Sequence, residues 1–407
     1  MASYQLDKSG FYASWRRTLS LVWVVVFGLL FGVANAAKPG STTPAAYSYY
    51  SVGDPDFSPI VTQQIDPSYV LMGGGPDVDE AFRWMIRRAG ITPSTGGRLV
   101  VIRATGDGAY NPYIYYSNKR KSNASKDIVD GWVGGASLGL TSVETLVIPS
   151  TVAADDPVLN SIVARANAVW IAGGDQADYI KYWKGRKLET TLNALMQKNV
   201  PVGGTSAGLA VLGGFDFAAM NGTVTSAQAL TDPYNQFMTF DPSPLSTVGG
   251  FISPPALANT ILDSHFDSRD RMGRLISFMS RLISPYAGAG TQQYGCAGGV
   301  LGNTMARGIG VGVETALLVQ RNPDLTYTGQ RVTNISTTTE SAVYFVNVTQ
   351  GPTVCASGKP LDVPTSSIAV RKLVASGTTI NLRDWSSFPV YKSLGIASGM
   401  LLPTNPY

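Results

Sequence analysis

The chain has 407 residues, of which 44% are hydrophobic and 14% are charged, a composition typical of a globular protein rather than a disordered one. The formal net charge is only +4 and no dense basic run accompanies it, so a nucleic-acid partner is not expected. The single histidine and two cysteines are too few for a zinc site made of these residues, and neither a metal nor an organic cofactor is predicted.

The first 36 residues have the pattern of a secretory signal peptide. Two arginines precede an apolar stretch at residues 19–33, and Ala34-Asn35-Ala36 has the small side chains of a cleavage site. We therefore predict a secreted protein, cleaved after Ala36 and without a stable membrane anchor. The alternative is a signal anchor, because the apolar stretch is long for a signal peptide although short for a membrane span.

Residues 37–62 are rich in Pro, Ser, Thr and Tyr and are predicted to be an irregular lead-in. From residue 63 to 283, short apolar runs alternate with segments of helical periodicity, which predicts an α/β core. Continuous apolar runs are typical of parallel strands buried on both faces, so helices should cover both sides of a mostly parallel sheet. The predicted strands are residues 69–72, 98–103, 146–149, 168–172, 199–202 and 260–266, and the predicted helices are residues 78–89, 158–166, 176–184 and 187–198.

The sequence changes character after this core. Residues 284–306 are rich in glycine and alanine and are predicted to form an inserted loop. From residue 307 to 407, short β-rich runs follow one another without crossover helices, which predicts an antiparallel extension of the same domain.

Features common in secreted glycoproteins occur along the chain. In an oxidising compartment Cys296 and Cys355 are expected to form a disulfide; the alternative is two buried free thiols. Sequons for N-linked glycans occur at Asn123, Asn221, Asn334 and Asn347.

The segment Gly204-Thr205-Ser206-Ala207-Gly208 has the G-x-S-x-G pattern of a nucleophile elbow. Such a turn exposes a serine between a strand and a helix, and the first N–H groups of the helix face developing negative charge. The alternative is an ordinary glycine-rich turn.

His265, the only histidine, follows a predicted strand whose carboxyl end should lie at the same edge of the sheet. It is the candidate base for the Ser206 proton.

Three blocks occur in order: Gly173-Gly174-Asp175-Gln176, then Gly203–Gly208, then Asp263-x-His265-Phe266-x-x-Arg269-x-Arg271-x-x-Arg274. Together they resemble the signatures of cyanophycinases, which are serine peptidases related to α-aspartyl dipeptidases. Similar segments at residues 306–319 and 358–361 extend the resemblance, which covers residues 69–385.

The resemblance implies a flavodoxin-like core of the class I glutamine amidotransferase type, with Ser206 as nucleophile and His265 as general base. It also implies an oxyanion hole of backbone N–H groups at Gly174, Asp175 and Ala207. The residues implied to line the substrate pocket are Gln176, Asp263, Arg269, Arg271 and Arg274. Arginines suit substrate carboxylates, and the aspartate suits a substrate guanidinium. The alternative is that these arginines only pair with neighbouring aspartates on a helix surface.

The chain departs from the cyanophycinase pattern at two positions. Cyanophycinases have a glutamate between the elbow and the block around the histidine, and it completes the triad, but no glutamate occurs here between Glu189 and Glu314. The acid of the triad is therefore expected to be Asp232, with Gln228 as a neutral alternative that would orient the imidazole. Bacterial cyanophycinases have a glutamine where this chain has Ser264, a difference that bears on substrate specificity.

We therefore predict a secreted serine-type peptidase that hydrolyses aspartyl-containing peptide bonds through an acyl-enzyme on Ser206. Its expected partner is a peptide or a polyaspartate-type substrate, and the sequence is compatible with a homodimer. Two alternatives stay open. One is an aspartyl dipeptidase or exopeptidase of other specificity, and the other is a secreted binding protein that keeps the fold without turnover.

Overall fold

The computed structural model describes residues 45–62, 64, 66–116, 132–243, 249–335, 337 and 341–407. The predicted signal peptide, its cleavage site and Asn123 lie outside these residues. Within the described part, none of the helices is both long and apolar enough to cross a membrane.

Strands and helices alternate in the first part of the chain. The strands are β1 (Ser48–Gly53), β2 (Ser68–Met72), β3 (Arg98–Arg103), β4 (Ser142–Val147), β5 (Ala168–Ile171), β6 (Val202–Thr205), β7 (Asp216–Phe217), β8 (Phe240–Asp241) and β9 (Thr260–Asp263). The helices are α1 (Asp79–Arg88), α2 (Tyr110–Tyr115), α3 (Gly135–Leu138), α4 (Thr151–Asp155), α5 (Pro157–Ala164), α6 (Gln176–Trp183), α7 (Lys187–Gln197), α8 (Ala207–Ala210), α9 (Ser226–Thr231) and α10 (Met272–Leu282).

The later part of the chain is built mainly of strands. They are β10 (Tyr286–Ala287), β11 (Gln293–Tyr294), β12 (Arg307–Val311), β13 (Thr315–Arg321), β14 (Tyr327–Thr333), β15 (Val343–Val348), β16 (Val363–Leu373), β17 (Thr379–Asn381), β18 (Lys392–Ala397) and β19 (Met400–Leu402).

A nine-stranded central sheet has the order β1-β4-β3-β5-β6-β2-β13-β14-β17. The inner strands β4, β3, β5, β6 and β2 are parallel. The edges are antiparallel, with β1 on one side and β13, β14 and β17 on the other. The predicted fold class is confirmed: an α/β fold with a mostly parallel central sheet and a β-rich antiparallel C-terminal region.

Both faces of the central sheet are covered. In β3, Val100 and Ile102 lie in a core with side chains of α5 and α7, whereas Leu99 and Val101 lie in a second core with side chains of α1. Since alternate residues of a strand point to opposite faces, this pattern requires helices on both sides and explains the uninterrupted apolar runs.

A second sheet of six strands has the order β19-β18-β16-β15-β12-β9. β9 and β12 are parallel, and the other pairs are antiparallel. Helix α10 shares a core with this sheet through Leu275, Phe278 and Met279. Two expectations are therefore corrected. β9 does not belong to the central sheet, and the C-terminal region extends that sheet only through β13, β14 and β17.

Two predicted irregular segments contain regular structure. The lead-in contains β1, which pairs with β4 over six residues as an edge strand. The predicted inserted loop contains the short hairpin of β10 and β11. Cys296 of this segment forms the predicted disulfide with Cys355, at a Cα–Cα distance of 5.2 Å.

Candidate active site

The G-x-S-x-G segment forms a sharp turn between β6 and the short helix α8. Ser206 has φ 54° and ψ −113°, a backbone conformation that a residue with a side chain rarely adopts. Close backbone contacts require both flanking glycines. A Cβ on Gly204 would lie 2.4 Å from the Gly208 carbonyl oxygen, and one on Gly208 would lie 2.0 Å from that of Ile171. The segment is therefore a strained elbow and not an ordinary glycine-rich turn.

Ser206 and His265 meet at this elbow. The distance from Ser206 Oγ to His265 Nε2 is 2.9 Å, at which an imidazole can accept the serine proton. The end of β2 fixes both residues. The Ser206 N–H donates to the Met72 carbonyl at 3.1 Å, and the His265 N–H donates to the Gly73 carbonyl at 2.7 Å. This strand end thus connects the elbow on the central sheet to the histidine that follows β9 on the second sheet.

The surroundings of His265 keep its imidazole neutral. Burial lowers its pKa most, and the charges of Arg269, Arg271 and Arg274 lower it further, whereas Asp263 acts in the opposite direction; the resulting pKa is about 4. At neutral pH the imidazole is therefore uncharged, and Nε2 can accept a proton in the tautomer that carries its hydrogen on Nδ1.

We expect this pKa to be measurable directly, because His265 is the only histidine in the sequence. An NMR titration of the imidazole, with any affinity tag removed, should give an inflection near pH 4. Activity that needs the neutral imidazole should rise through the same pH from the acid side and stay level up to neutral pH. A midpoint close to the ordinary histidine value of about 6.5 would contradict the described environment.

The structure does not bring Asp232 to the histidine. Asp232 ends α9, where its Oδ1 accepts the N–H groups of Tyr234 and Gly358 at 2.9 and 3.0 Å. Gln228, the neutral alternative, completes the N-terminal capping box of the same helix. Among the described residues no hydrogen bond joins either side chain to His265. Local structure therefore accounts for both side chains, and neither orients the imidazole in the described geometry.

Glu314, which the sequence pattern did not single out, is an acidic residue whose backbone lies near His265. β9 and β12 are parallel neighbours, so their carboxyl ends lie at the same edge of the second sheet. His265 follows β9 at this edge, and Glu314 follows β12. The Glu314 N–H donates to the Gly74 carbonyl at 2.9 Å. Gly74 in turn lies against the imidazole, since a Cβ there would be 2.4 Å from Nε2. Neither the Glu314 carboxylate nor His265 Nδ1 has a hydrogen-bond partner among the described residues.

The residues predicted to supply the oxyanion hole line the cavity beside Ser206. This cavity has a volume of about 200 Å³, and Gly174, Asp175 and Ala207 lie in its wall. Asp175 caps α6, its Oδ1 accepting the Ala177 N–H at 2.9 Å. In the described part of the chain, the N–H groups of Gly174 and Ala207 make no hydrogen bond. They are therefore available as donors to a ligand in the cavity, although their role stays a prediction.

Asp263 forms an ion-pair cluster with two arginines. Its carboxylate accepts hydrogen bonds from Arg274 Nε at 2.7 Å, Arg274 Nη2 at 2.6 Å and Arg271 Nη1 at 3.1 Å. Arg274 is buried, and its Nη1 donates to Thr223 Oγ1 and to the Val224 carbonyl. Because both carboxylate oxygens are already used, Asp263 does not fit the expected role of binding a substrate guanidinium.

Two cationic side chains of the cavity keep donors for a ligand. Both Arg269 and Arg271 line it. The Arg269 guanidinium and the Nε and Nη2 groups of Arg271 make no hydrogen bond or ion pair within the described residues. Burial lowers the Arg271 pKa to about 10, so this side chain stays charged at neutral pH. Gln176 also lines the cavity, with its Nε2 3.4 Å from the Phe217 carbonyl oxygen.

Comparisons with known proteins find similarity to solved structures. No protein-family model and no curated protein matches the chain. Among solved structures, a peptidase from an acI-B1 Actinobacterium is 15% identical with a TM-score of 0.42, over 79% of this chain and 98% of that one. A "Putative Peptidase E Protein" from Listeria monocytogenes EGD-e is 11% identical with a TM-score of 0.35, over 66% of this chain and 100% of that one. Similarities at this level carry no inference of function.

Proposed function

We propose that this protein is a serine-type peptidase that forms an acyl-enzyme on Ser206. The observation that carries the proposal is the 2.9 Å distance between Ser206 Oγ and Nε2 of a neutral, half-buried His265. Gly174 and Ala207 line the same cavity, and their N–H groups make no hydrogen bond within the described residues. A nucleophile, a base and donors for an oxyanion are the three parts that acyl transfer needs.

In the proposed reaction, Nε2 of His265 accepts the hydroxyl proton as Ser206 Oγ attacks the scissile carbonyl carbon. The backbone N–H groups of the cavity donate hydrogen bonds to the resulting oxyanion, and the imidazolium returns the proton to the leaving amine. A water molecule then gives its proton to the same imidazole and attacks the ester. The carboxylic acid product leaves, and the proton returns to Ser206.

We infer that the substrate carries an acidic side chain, as in an aspartyl peptide. The cavity contains three arginines and two aspartates, and one of these aspartates, Asp263, is already paired inside the protein. The Arg269 guanidinium and the Nε and Nη2 groups of Arg271 have no partner among the described residues and can donate to a carboxylate. Their positive charge would repel a substrate guanidinium. A volume of about 200 Å³ suits one short side chain. An aspartyl dipeptidase or another exopeptidase uses the same features, and product analysis distinguishes these specificities.

The charge of the substrate side chain should change KM. Peptides with Asp at the cleaved bond should have a KM roughly tenfold lower than matched Asn peptides, because only the carboxylate forms a charge-assisted pair with Arg269. Arg269→Ala should reduce this difference by raising KM for the Asp peptide, while the Arg271 donors remain. Arg186→Ala is the matched control, since Arg186 pairs with Asp155 on the exposed surface. Equal KM values for Asp and Asn peptides in the wild type would contradict an acidic subsite.

A secreted binding protein without turnover is the second candidate. It is favoured by the lack of any hydrogen-bond partner for His265 Nδ1 among the described residues, since an unoriented imidazole is a poor base. Such a protein would bind acidic peptides at the same arginines and leave them intact. Calorimetric binding without product release would support this candidate, and cleavage would exclude it.

We also propose that the protein is secreted. The disulfide supports this, because disulfides persist in oxidising compartments. Asn221 is exposed, with its Nδ2 donating to the Gln236 carbonyl at 2.7 Å, whereas Asn334 is half-buried and both ends of its amide are bonded to the backbone of Asp77 and Asp79, at 2.8 Å each. Asn221 is therefore better placed than Asn334 to carry a glycan. Mass spectrometry of protein from a culture supernatant tests both the leader cleavage and the glycan.

A further inference from the structure

Tyr407 lies outside the cavity but contacts the loop that carries the candidate site. This loop, residues 264–271, connects β9 to α10 and contains His265, Arg269 and Arg271. We propose that Tyr407 is a positioning residue, which holds this loop in the geometry that the histidine and the arginines need. The effect of Tyr407 on catalysis rests on the proposed function, whereas its effect on the titration of His265 does not.

The Tyr407 ring packs beside the neighbour of the histidine. Its centroid is 6.0 Å from that of Phe266 and 5.7 Å from that of Tyr344, with interplanar angles of 80° in both pairs. Phe266 is completely buried and lies over Gly310 of β12, where a Cβ would be 2.4 Å from the ring. Phe266 is thus held by both β12 and Tyr407. Since His265 is the preceding residue, this packing also restrains the histidine.

The Tyr407 hydroxyl contacts the other end of the loop. It accepts the N–H of Met272, the first residue of α10, at 2.8 Å. It also lies 3.1 Å from Asp270 Oδ1, to which it donates. Burial raises the pKa of this hydroxyl, so it keeps the proton that it donates. One side chain therefore fastens the loop at both ends, next to the histidine by its ring and after Arg271 by its hydroxyl.

The loop needs such an external contact because its own conformation is costly. His265 and Asp270 both have positive φ values, 45° and 47°. Residues with side chains persist in this region only where surrounding structure holds them there. The short-range bonds within the loop run from the Arg269 N–H to the His265 carbonyl at 3.1 Å and from the Arg271 N–H to the Phe266 carbonyl at 2.9 Å. They close single turns and leave the position of the loop as a whole to outside contacts such as Tyr407.

Tyr407→Phe tests the proposal, because it keeps the ring and removes the hydroxyl contacts with Met272, with Asp270 and, at 3.5 Å, with the Phe266 carbonyl. A loosened loop would move the arginines away from the imidazole and admit water, and both changes raise the His265 pKa towards 6.5. The NMR titration of the single histidine should therefore show a midpoint at least about half a unit higher than in the wild type. Phosphonylation of Ser206 by a fluorophosphonate, with loss of fluoride, should slow roughly tenfold, because small displacements of a base are costly. Tyr407→Ala should change both quantities further in the same direction.

Tyr286→Phe is the matched control. The Tyr286 hydroxyl also accepts a backbone N–H, that of Gly351 at 3.0 Å, but it does not contact Tyr407 or the loop, so its removal should leave the His265 pKa and the labelling rate unchanged. An unchanged His265 pKa in folded Tyr407→Phe would overturn the proposal. A lower melting temperature without a change in the pKa would also overturn it, since that result describes a purely structural residue. The pKa measurement needs no catalysis, so failure of the proposed peptidase activity is a separate outcome.

Discussion

Ser206→Ala is expected to abolish peptide hydrolysis and to remove the site of covalent labelling. Loss of a serine nucleophile typically lowers kcat by about 10⁴-fold or more, because oxyanion donors and substrate binding cannot replace the attacking oxygen. A fluorophosphonate reporter should form one adduct with the wild type by intact-mass spectrometry and none with Ser206→Ala. The melting temperature should change little, because the substitution removes one half-exposed hydroxyl.

Two further variants make this result specific. Ser94→Ala changes an exposed loop serine and should be labelled at the wild-type rate. His265→Gln should stay folded and be labelled roughly 100-fold more slowly or worse, because the base that is 2.9 Å from Ser206 Oγ is lost. Undiminished labelling of Ser206→Ala would place the reactive serine elsewhere. A folded wild type that takes up no reporter would favour the binding protein.

The elbow could be predicted from sequence because its constraints are local. A strand that enters a tight turn needs small residues where the backbone passes closely, and Gly204 and Gly208 lie within a few residues of Ser206. The strands of the parallel sheet were visible for a similar reason. Burial on both faces makes residues such as those of β3 and β5 apolar without interruption, which a short window of sequence records.

Pairing between distant strands could not be predicted in the same way. β9 is as apolar as the strands of the central sheet, yet its partner is β12, which comes after α10 and the β10–β11 hairpin. Nothing in residues 260–263 distinguishes one parallel partner from another, since all four are buried in either case. β1 was missed because an edge strand needs few apolar side chains, and its polar and aromatic residues resemble a loop.

The difference between the expected and the observed surroundings of Asp232 has the same origin. Asp232 and Gln228 lie close to the histidine in the sequence, but both serve α9 as local capping and turn residues. Glu314 is brought to the same edge as His265 only by the parallel register of β9 and β12, in which Asp263 pairs with Gly310. A useful signal was present, since Glu314 lies just beyond the end of β12, as His265 lies just beyond the end of β9.

Glu314→Gln is therefore expected to lower kcat by roughly 10²–10⁴-fold with little change in KM. In a serine triad the carboxylate selects the imidazole tautomer and stabilises the imidazolium, and its amide replacement keeps the shape while removing that effect. This expectation rests on two contacts between Glu314 and the histidine. The Glu314 N–H donates to the Gly74 carbonyl, and Gly74 lies against the imidazole. Steady-state kinetics on an Asp peptide provide the measurement, with reporter labelling as a second one that does not depend on the choice of substrate.

Asp232→Asn is the matched control, because it removes one carboxylate in the same way from the position that local sequence favours. It keeps an oxygen that can accept the Tyr234 and Gly358 N–H groups, so it should fold and retain kcat within about twofold. The reverse pattern, with a large loss in Asp232→Asn and none in Glu314→Gln, would show that the α9 region moves to the histidine when substrate binds. If neither variant loses activity, the imidazole acts as a base without a carboxylate. His265 Nδ1 would then lack a partner in the active enzyme, as it does among the described residues.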